Sequence, residues 1–238
     1  MELITEKRFI YKINEAGRQR IGDILLREAT YRFLVNGQAI TNFNCTPENV
    51  RQLALGYAFS QGLFSDLRNI ENLQIDEDNK EIYLTIKPQE KVAEPEIETA
   101  DSKKEIILTV AEIHALNEEF TRRCNLYRLT GASHSCALAT RDGIIIYMDD
   151  VARHNALNKV IGEMLLQEIQ PAHKVFIFSG RLALDMIEKA GKVGVKILIA
   201  PGAPTLAAVE LAESLGLTLL GFVRPGNINI YTHWQRIK

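Results

Sequence analysis

The sequence is poor in the features that usually announce a function. It has three cysteines in 238 residues, Cys45, Cys124 and Cys136, and no CxxC. Cysteine alone therefore builds neither a zinc ribbon nor a thioredoxin-type motif, and scattered thiols fit a reducing compartment. The longest apolar stretches, such as Leu217–Val223 and Val195–Ala200, fall far short of the ~20 residues of a membrane span. The first seven residues, MELITEK, carry acids where a signal peptide needs a basic region and an apolar run, so a cytoplasmic protein without membrane contact is expected. No GxGxxG or Walker A loop is present, which excludes the common dinucleotide and nucleoside triphosphate cradles. Ser179 follows a strand-like run but lacks the GxSxG elbow of a hydrolase. His134-Ser-Cys136 lacks both the glutamate and the cysteine pair of the zinc deaminases, so no metal is expected. Lys and Arg number 28 against 30 Asp and Glu, a net charge of −2, and no overall basic character points to nucleic acid.

What is present is an ordinary globular composition, 46% hydrophobic and 24% charged, divided unevenly. Residues 1–120 hold 14 Lys/Arg against 21 Asp/Glu and residues 121–238 hold 14 against 9, so the halves carry −7 and +5. That asymmetry favours an anionic partner for the second half. The first half reads as short strands with one helix. Tyr31–Val35 ends at the tight-turn pair Asn36-Gly37. Thr46-Pro47 supplies a cap and a first-turn proline ahead of Val50, Leu53, Ala54, Tyr57 and Ala58 at helical spacing. Residues 88–105, PQEKVAEPEIETADSKKE, are charged and almost devoid of apolar anchors, and read as a mobile linker. Thr109-Val-Ala-Glu112 is a capping box. Beyond it, strands at 144–148, 174–178, 195–200 and 217–223 alternate with helices at 155–168, 182–191 and 205–215, the pattern of a parallel sheet covered on both faces. The expectation is an α+β domain over 1–105, including the linker, and a three-layer α/β domain over 106–238.

Ligands of open α/β sheets bind where loops leave the carboxyl ends of the strands. Four loops qualify: Asp149–Asn155, Ser179–Arg181, Pro201–Thr205 and Arg224–Asn227. The first three are expected to open helices, whose free amides favour an anion. Gly180 and Gly202 would let a phosphate approach the backbone, and Arg153, Arg181 and Arg224 would supply charge. Their recurrence on one side of one sheet points to an anionic or nucleotide-like ligand. His154, flanked by Arg153 and Asn155, is the better histidine candidate, with His134 read as a turn-stabilising residue. Cys136 lies in an apolar run and reads as an inert buried thiol. Cys45 stands before the expected helix cap, where a thiol pKa can be lowered, but a structural role is the main reading.

The same loops carry a resemblance. Asp150-Val-Ala-Arg-His-Asn-Ala-Leu-Asn-Lys-Val-Ile-Gly162 is similar to the DVGRHNALDKVIG signature of the formate dehydrogenase accessory sulfurtransferase family. Thr130–His134, Ser179–Arg181, Ala203–Thr205 with Val209–Ala212, and Gly221–Arg224 through His233 fit its other segments, as do Val35–Gly37 and Leu53–Gly56. The resemblance implies a cytidine-deaminase-like second domain without its zinc, in a cytoplasmic homodimer. It further implies sulfur received from a cysteine desulfurase and handed, for a formate dehydrogenase, to a molybdenum bis(molybdopterin guanine dinucleotide) cofactor. By the same resemblance Phe222, Val223, Arg224, Pro225, Gly226 and Asn227 would bind the guanine dinucleotide. Together with the loop reading this gives a cofactor-binding set that also holds Arg153, His154, Asn155, Ser179, Gly180 and Arg181. One departure stands out. The family's persulfide cysteines form a C-G-x-C-G loop between its domains, and the corresponding 97–105, IETADSKKE, has none. A serine such as Ser102 cannot replace a thiolate. Either Cys124 or Cys136 acts instead, or the protein binds and delivers without sulfuration, or it is a nucleotide-binding regulator that kept the pocket alone.

Overall fold

The computed structural model describes residues 4–87 and 106–238; the charged stretch 88–105, expected to be a mobile linker, lies outside the described residues. The chain opens with β1 (Thr5–Asn14) and β2 (Gly17–Leu26), an antiparallel hairpin that forms a sheet of its own. Alternation puts Phe9, Tyr11 and Ile13 on one face of β1, and all three are exposed.

A second sheet has the order β4-β3-β6-β5, from β3 (Ala29–Val35), β4 (Gln38–Cys45), β5 (Ile70–Asp76) and β6 (Glu81–Ile86). The β3–β4 turn is Asn36-Gly37, both at positive φ (49° and 81°), as a two-residue hairpin connection requires. Tyr31 and Phe33 of β3, Phe43 of β4 and Ile82 and Leu84 of β6 bury their side chains beneath helix α1 (Val50–Ser60), which contributes Val50, Leu53, Ala54 and Ala58. The helix starts later than the Thr46 cap implied. Its N-cap is Asn49, in the left-handed region without a side-chain cap bond, because Thr46 is committed to the second half of the chain, as described below.

The third sheet has six strands in the order β12-β11-β10-β9-β7-β8. They are β7 (His134–Thr140), β8 (Gly143–Asp150), β9 (Val175–Phe178), β10 (Ile197–Ile199), β11 (Thr218–Arg224) and β12 (Asn227–Thr232). Strands β9, β10 and β11 are parallel, while β7 runs antiparallel to both β8 and β9. Side chains alternate across this sheet. Cys136, Leu138, Phe176, Phe178, Leu198 and Leu219 pack on one face against α4 (Arg153–Leu166), α5 (Leu184–Val193) and α6 (Leu206–Ser214). Ala137, Ala139, Val175, Ile177, Ile199 and Val223 pack on the other against Ile113, Leu116 and Phe120 of α2 (Val110–Arg123). The capping box forms as read: Thr109 Oγ1 accepts from Glu112 N at 3.2 Å, and Thr109 N donates to Glu112 Oε2 at 2.7 Å. A short helix α3 (Asn125–Thr130) leads into β7.

Two devices join the halves. Helices α1 and α4 cross at paired glycines. A Cβ on Gly56 would stand 1.8 Å from the Asn158 carbonyl oxygen, and one on Gly162 would stand 2.0 Å from that of Gln52. Beside the crossing lies a buried polar knot. Lys159 and Asp150 are fully buried and paired at 2.7 Å. Thr46 Oγ1 accepts from Lys159 Nζ at 2.7 Å and donates to Asp150 Oδ2 at 3.1 Å, and Thr46 N donates to the same oxygen at 3.2 Å. Asn155 Nδ2 bridges Asp150 Oδ1 at 3.1 Å and the Asn44 carbonyl at 2.8 Å. Buried charges persist when their remaining hydrogen-bonding capacity is met in this way.

Candidate functional site

The strand directions bring the carboxyl ends of β8, β9, β10 and β11 and the amino end of β7 to one edge of the sheet. There His134 Nδ1 lies 3.4 Å from Ser179 Oγ, and Ser179 Oγ accepts from Ser135 N at 2.9 Å. Ser179 is thus tied to backbone as a latch between β7 and β9. Small residues carry the ledge onward. Gly180 lies under the His134 ring, a Cβ on Gly202 would meet Gly180 O and Arg181 N at 3.0 Å, and Phe222 N donates to Gly202 O at 3.3 Å. Phe222 sits at positive φ (50°) in a bulge of β11, exposed with Arg224, Pro225, Gly226 and Asn227 in the turn to β12. Arg181 is also exposed.

Two polar atoms at this edge are buried without a hydrogen-bond partner among the described residues: Nε of Arg153, the first residue of α4, and Oγ of Ser133, just before β7. Unmet buried polar atoms are uncommon and point to a missing partner. His134 feels Arg153 directly. Burial first, and then the Arg153 charge, hold its imidazole below the usual histidine value. It is therefore neutral at pH 7, a hydrogen-bonding group on the ledge rather than a further cation. Burial and then Lys189 lower His154 in the same direction. Because the unfolded chain takes up these protons first, stability is expected to fall as pH drops below about 6.5 and to level off below the folded values. His134→Gln should shallow that loss, measured by denaturant unfolding at pH 7.5 and 5.

Several expected roles are altered by the structure. The Asp149–Asn155 and Pro201–Thr205 loops open helices as expected, through Ala152 and Thr205, whereas Ser179–Arg181 does not open one directly. Helix α5 starts at Leu184, after Leu182 has bridged to Pro204, and α6 starts at Leu206, capped by Thr205. Ser179–Arg181 is a strand end packed side by side with Gly202 of the Pro201–Thr205 loop rather than a helix start. Asn155 is buried in the knot, and Val223 points into the core against α2, leaving its backbone alone near the ledge. His154 faces a separate cavity between the halves. His134, read from sequence as a turn residue, is central, because β7 pairs beside β9.

The thiols are also settled by burial. Cys136 is fully enclosed, and burial pushes its pKa well up. Cys45 is pushed up to about 12 by burial and then by Asp150, which fits a structural role rather than the lowered thiol a helix cap could have given. Cys124 is half-buried and donates to the Phe120 carbonyl at 3.3 Å. Among the described residues no group of three or more His, Cys, Asp or Glu could hold a metal ion, and no helix is long and apolar enough to cross a membrane.

The architecture is that of a mixed α/β protein with a backbone ledge, flanked by arginines, at the carboxyl edge of its main sheet. Residues 26–238 match the FdhD/NarQ family, and the chain belongs to that family. A Bacillus subtilis protein named sulfur carrier protein FdhD is 28% identical over 257 residues, covering 99% of this chain and 98% of the relative. One of the same name from Geobacillus kaustophilus is 30% identical over 241 residues, covering 90% of each. A solved structure from Desulfotalea psychrophila, described as a candidate formate dehydrogenase accessory protein, superposes with a TM-score of 0.84. It is 24% identical over 99% of this chain and 100% of that one, a likeness of fold.

Proposed function

We propose that this chain is a formate dehydrogenase accessory protein that holds the guanine dinucleotide ends of the molybdenum bis(molybdopterin guanine dinucleotide) cofactor, its cargo, on the ledge. The observation that carries the reading is the pair of unmet buried atoms, Arg153 Nε and Ser133 Oγ, beside the glycine-lined backbone of Gly180 and Gly202. An arginine donor and a hydroxyl suit phosphate oxygens, and Gly180, with only the His134 ring nearby, lets those oxygens reach backbone amides. Arg181 and Arg224 stand exposed at the rim and add charge. The +5 charge of residues 121–238 agrees with an anionic cargo.

Guanosine diphosphate, tested by calorimetry, is the simplest probe. Arg224→Ala should weaken its binding by ~1.5–3 kcal/mol, the range for a charge-assisted hydrogen bond. Gly180→Ala is a sharper test. The added methyl would meet only the His134 ring, at an ordinary 3.5 Å, so the fold should be unchanged while ligand approach is blocked. Absence of binding at millimolar nucleotide would overturn the reading.

Sulfur transfer is the part this chain is ill equipped to perform. The relatives are named as sulfur carriers, but transfer needs an accessible, low-pKa thiolate on a segment that reaches donor and acceptor. Cys136 and Cys45 are enclosed, and Cys124 is tied to its own helix. This favours binding and delivery without sulfuration, or a nucleotide-binding regulator that has left the pathway, over a desulfurase partnership. Incubation with a cysteine desulfurase and cysteine should give no adduct of about 32 Da, one added sulfur. An adduct on Cys124 would instead establish a relocated carrier thiol.

A further inference from the structure

A cavity of about 350 Å³ lies between the two halves, walled by β4 and α1 on one side and by the first turns of α4 and the middle of α5 on the other. Arg153 does not line it; Asn42, Tyr57, His154, Asn158 and Lys189 do, with Glu28 among the lining residues as the carboxylate. Two of these side chains are buried and unsatisfied. Lys189 is 8% exposed and has no hydrogen bond or ion pair among the described residues. Asn158 is 1% exposed, its side chain makes no hydrogen bond, and its Oδ1 is wholly occluded.

A buried carbonyl without a donor loses its water without replacement, as Asn158 Oδ1 has, while the Lys189 ammonium keeps some contact with solvent but has no paired anion among the described residues. Asp185 and Glu188 act on Lys189 from its own helix, but neither forms an ion pair with it. The two unmet groups are complementary to one kind of molecule: an anionic acceptor for Lys189 joined to a hydrogen-bond donor for Asn158. The single cation, the absence of arginine from the lining and the presence of Glu28 suit a monoanion better than a phosphate. The volume is at the small end for metabolite sites.

We infer that this cavity is a binding site for a small carboxylate that also carries an N–H donor, the chemistry of a free amino acid, held by Lys189 and Asn158 between the two halves of the chain.

The test uses the full chain with L-serine, L-glutamine and L-methionine as probes, and butyrate and inorganic phosphate as comparisons, in calorimetry and thermal melts. At least one amino acid should bind, and butyrate should bind at least 10-fold more weakly because it leaves Asn158 unmet. Lys189→Met should lower amino acid affinity at least 10-fold while its own melting temperature holds or rises, since the change removes an unpaired buried charge. Asn158→Asp, which sets a carboxylate in the same cavity, should also weaken binding. Binding of no probe at 10 mM, undiminished binding by Lys189→Met, or preference for phosphate would each overturn the proposal. Should Lys189→Met fail to fold, Lys189→Gln with the same probes decides.

Discussion

Replacing Gly56 by alanine is expected to cost at least about 3 kcal/mol, the upper end of what overpacking usually costs, and to leave little folded protein at 37 °C. The reason is distance. The new methyl carbon would stand 1.8 Å from the Asn158 carbonyl oxygen and 2.8 Å from the Gly162 amide nitrogen, and these are backbone atoms that cannot rotate away. Gly162→Ala meets the Gln52 carbonyl at 2.0 Å and should behave alike. Relief requires α1 and α4 to separate along their whole crossing, which unseats Leu165 and Leu166 from the core under α1. Thermal melts of the two variants, with Gly180→Ala as the control that has room, give the check. A melting temperature within a few degrees of the parent for either helix variant would mean that the crossing is far looser than described.

Lys159→Met should damage the fold on a scale similar to the glycine changes. Removing one partner of a buried pair typically costs 3–5 kcal/mol, because Asp150 would be left buried without its cation. The double variant Lys159→Met, Asp150→Asn should lose less than the two single changes added together, since neither charge is then left alone. Urea unfolding of all four proteins measures that coupling. Strict additivity would show that the two charges do not act as a pair. The knot also predicts where damage appears first. Thr46 and Asn44 belong to the first half of the chain, so Lys159→Met should loosen contact between the halves before it melts either one, visible as faster amide exchange around β4 and α1.

Much of the fold was legible because local chemistry and final structure agree. Asn36-Gly37 turns where it must, the Thr109–Glu112 box forms both of its bonds, and the alternation after residue 143 becomes a sheet with helices on both faces. The misreadings have physical causes. Thr46 has the residue type of a helix cap, but a lysine more than a hundred positions away competes for its hydroxyl and wins by burial. Strand β12, Asn-Ile-Asn-Ile-Tyr-Thr, was hidden by asparagines that favour turns elsewhere, and the long β1–β2 hairpin by its many charged residues. His134 joins the ledge through strand order, which no local pattern encodes. The cavity between the halves is assembled from four separate elements and leaves no trace in any one stretch of sequence.

The string from Asp150 to Gly162 is the most recognisable in the chain, and its most constrained members, Asp150, Asn155, Lys159 and Gly162, hold the two halves together. A signature of this kind is inherited for architecture as much as for chemistry. A descendant that gave up sulfur handling would still fall apart without it, so the string would outlast the activity. This chain keeps the string nearly intact while its residues 97–105 contain no cysteine. The helix string marks kinship through the joint it builds, apart from any sulfur chemistry.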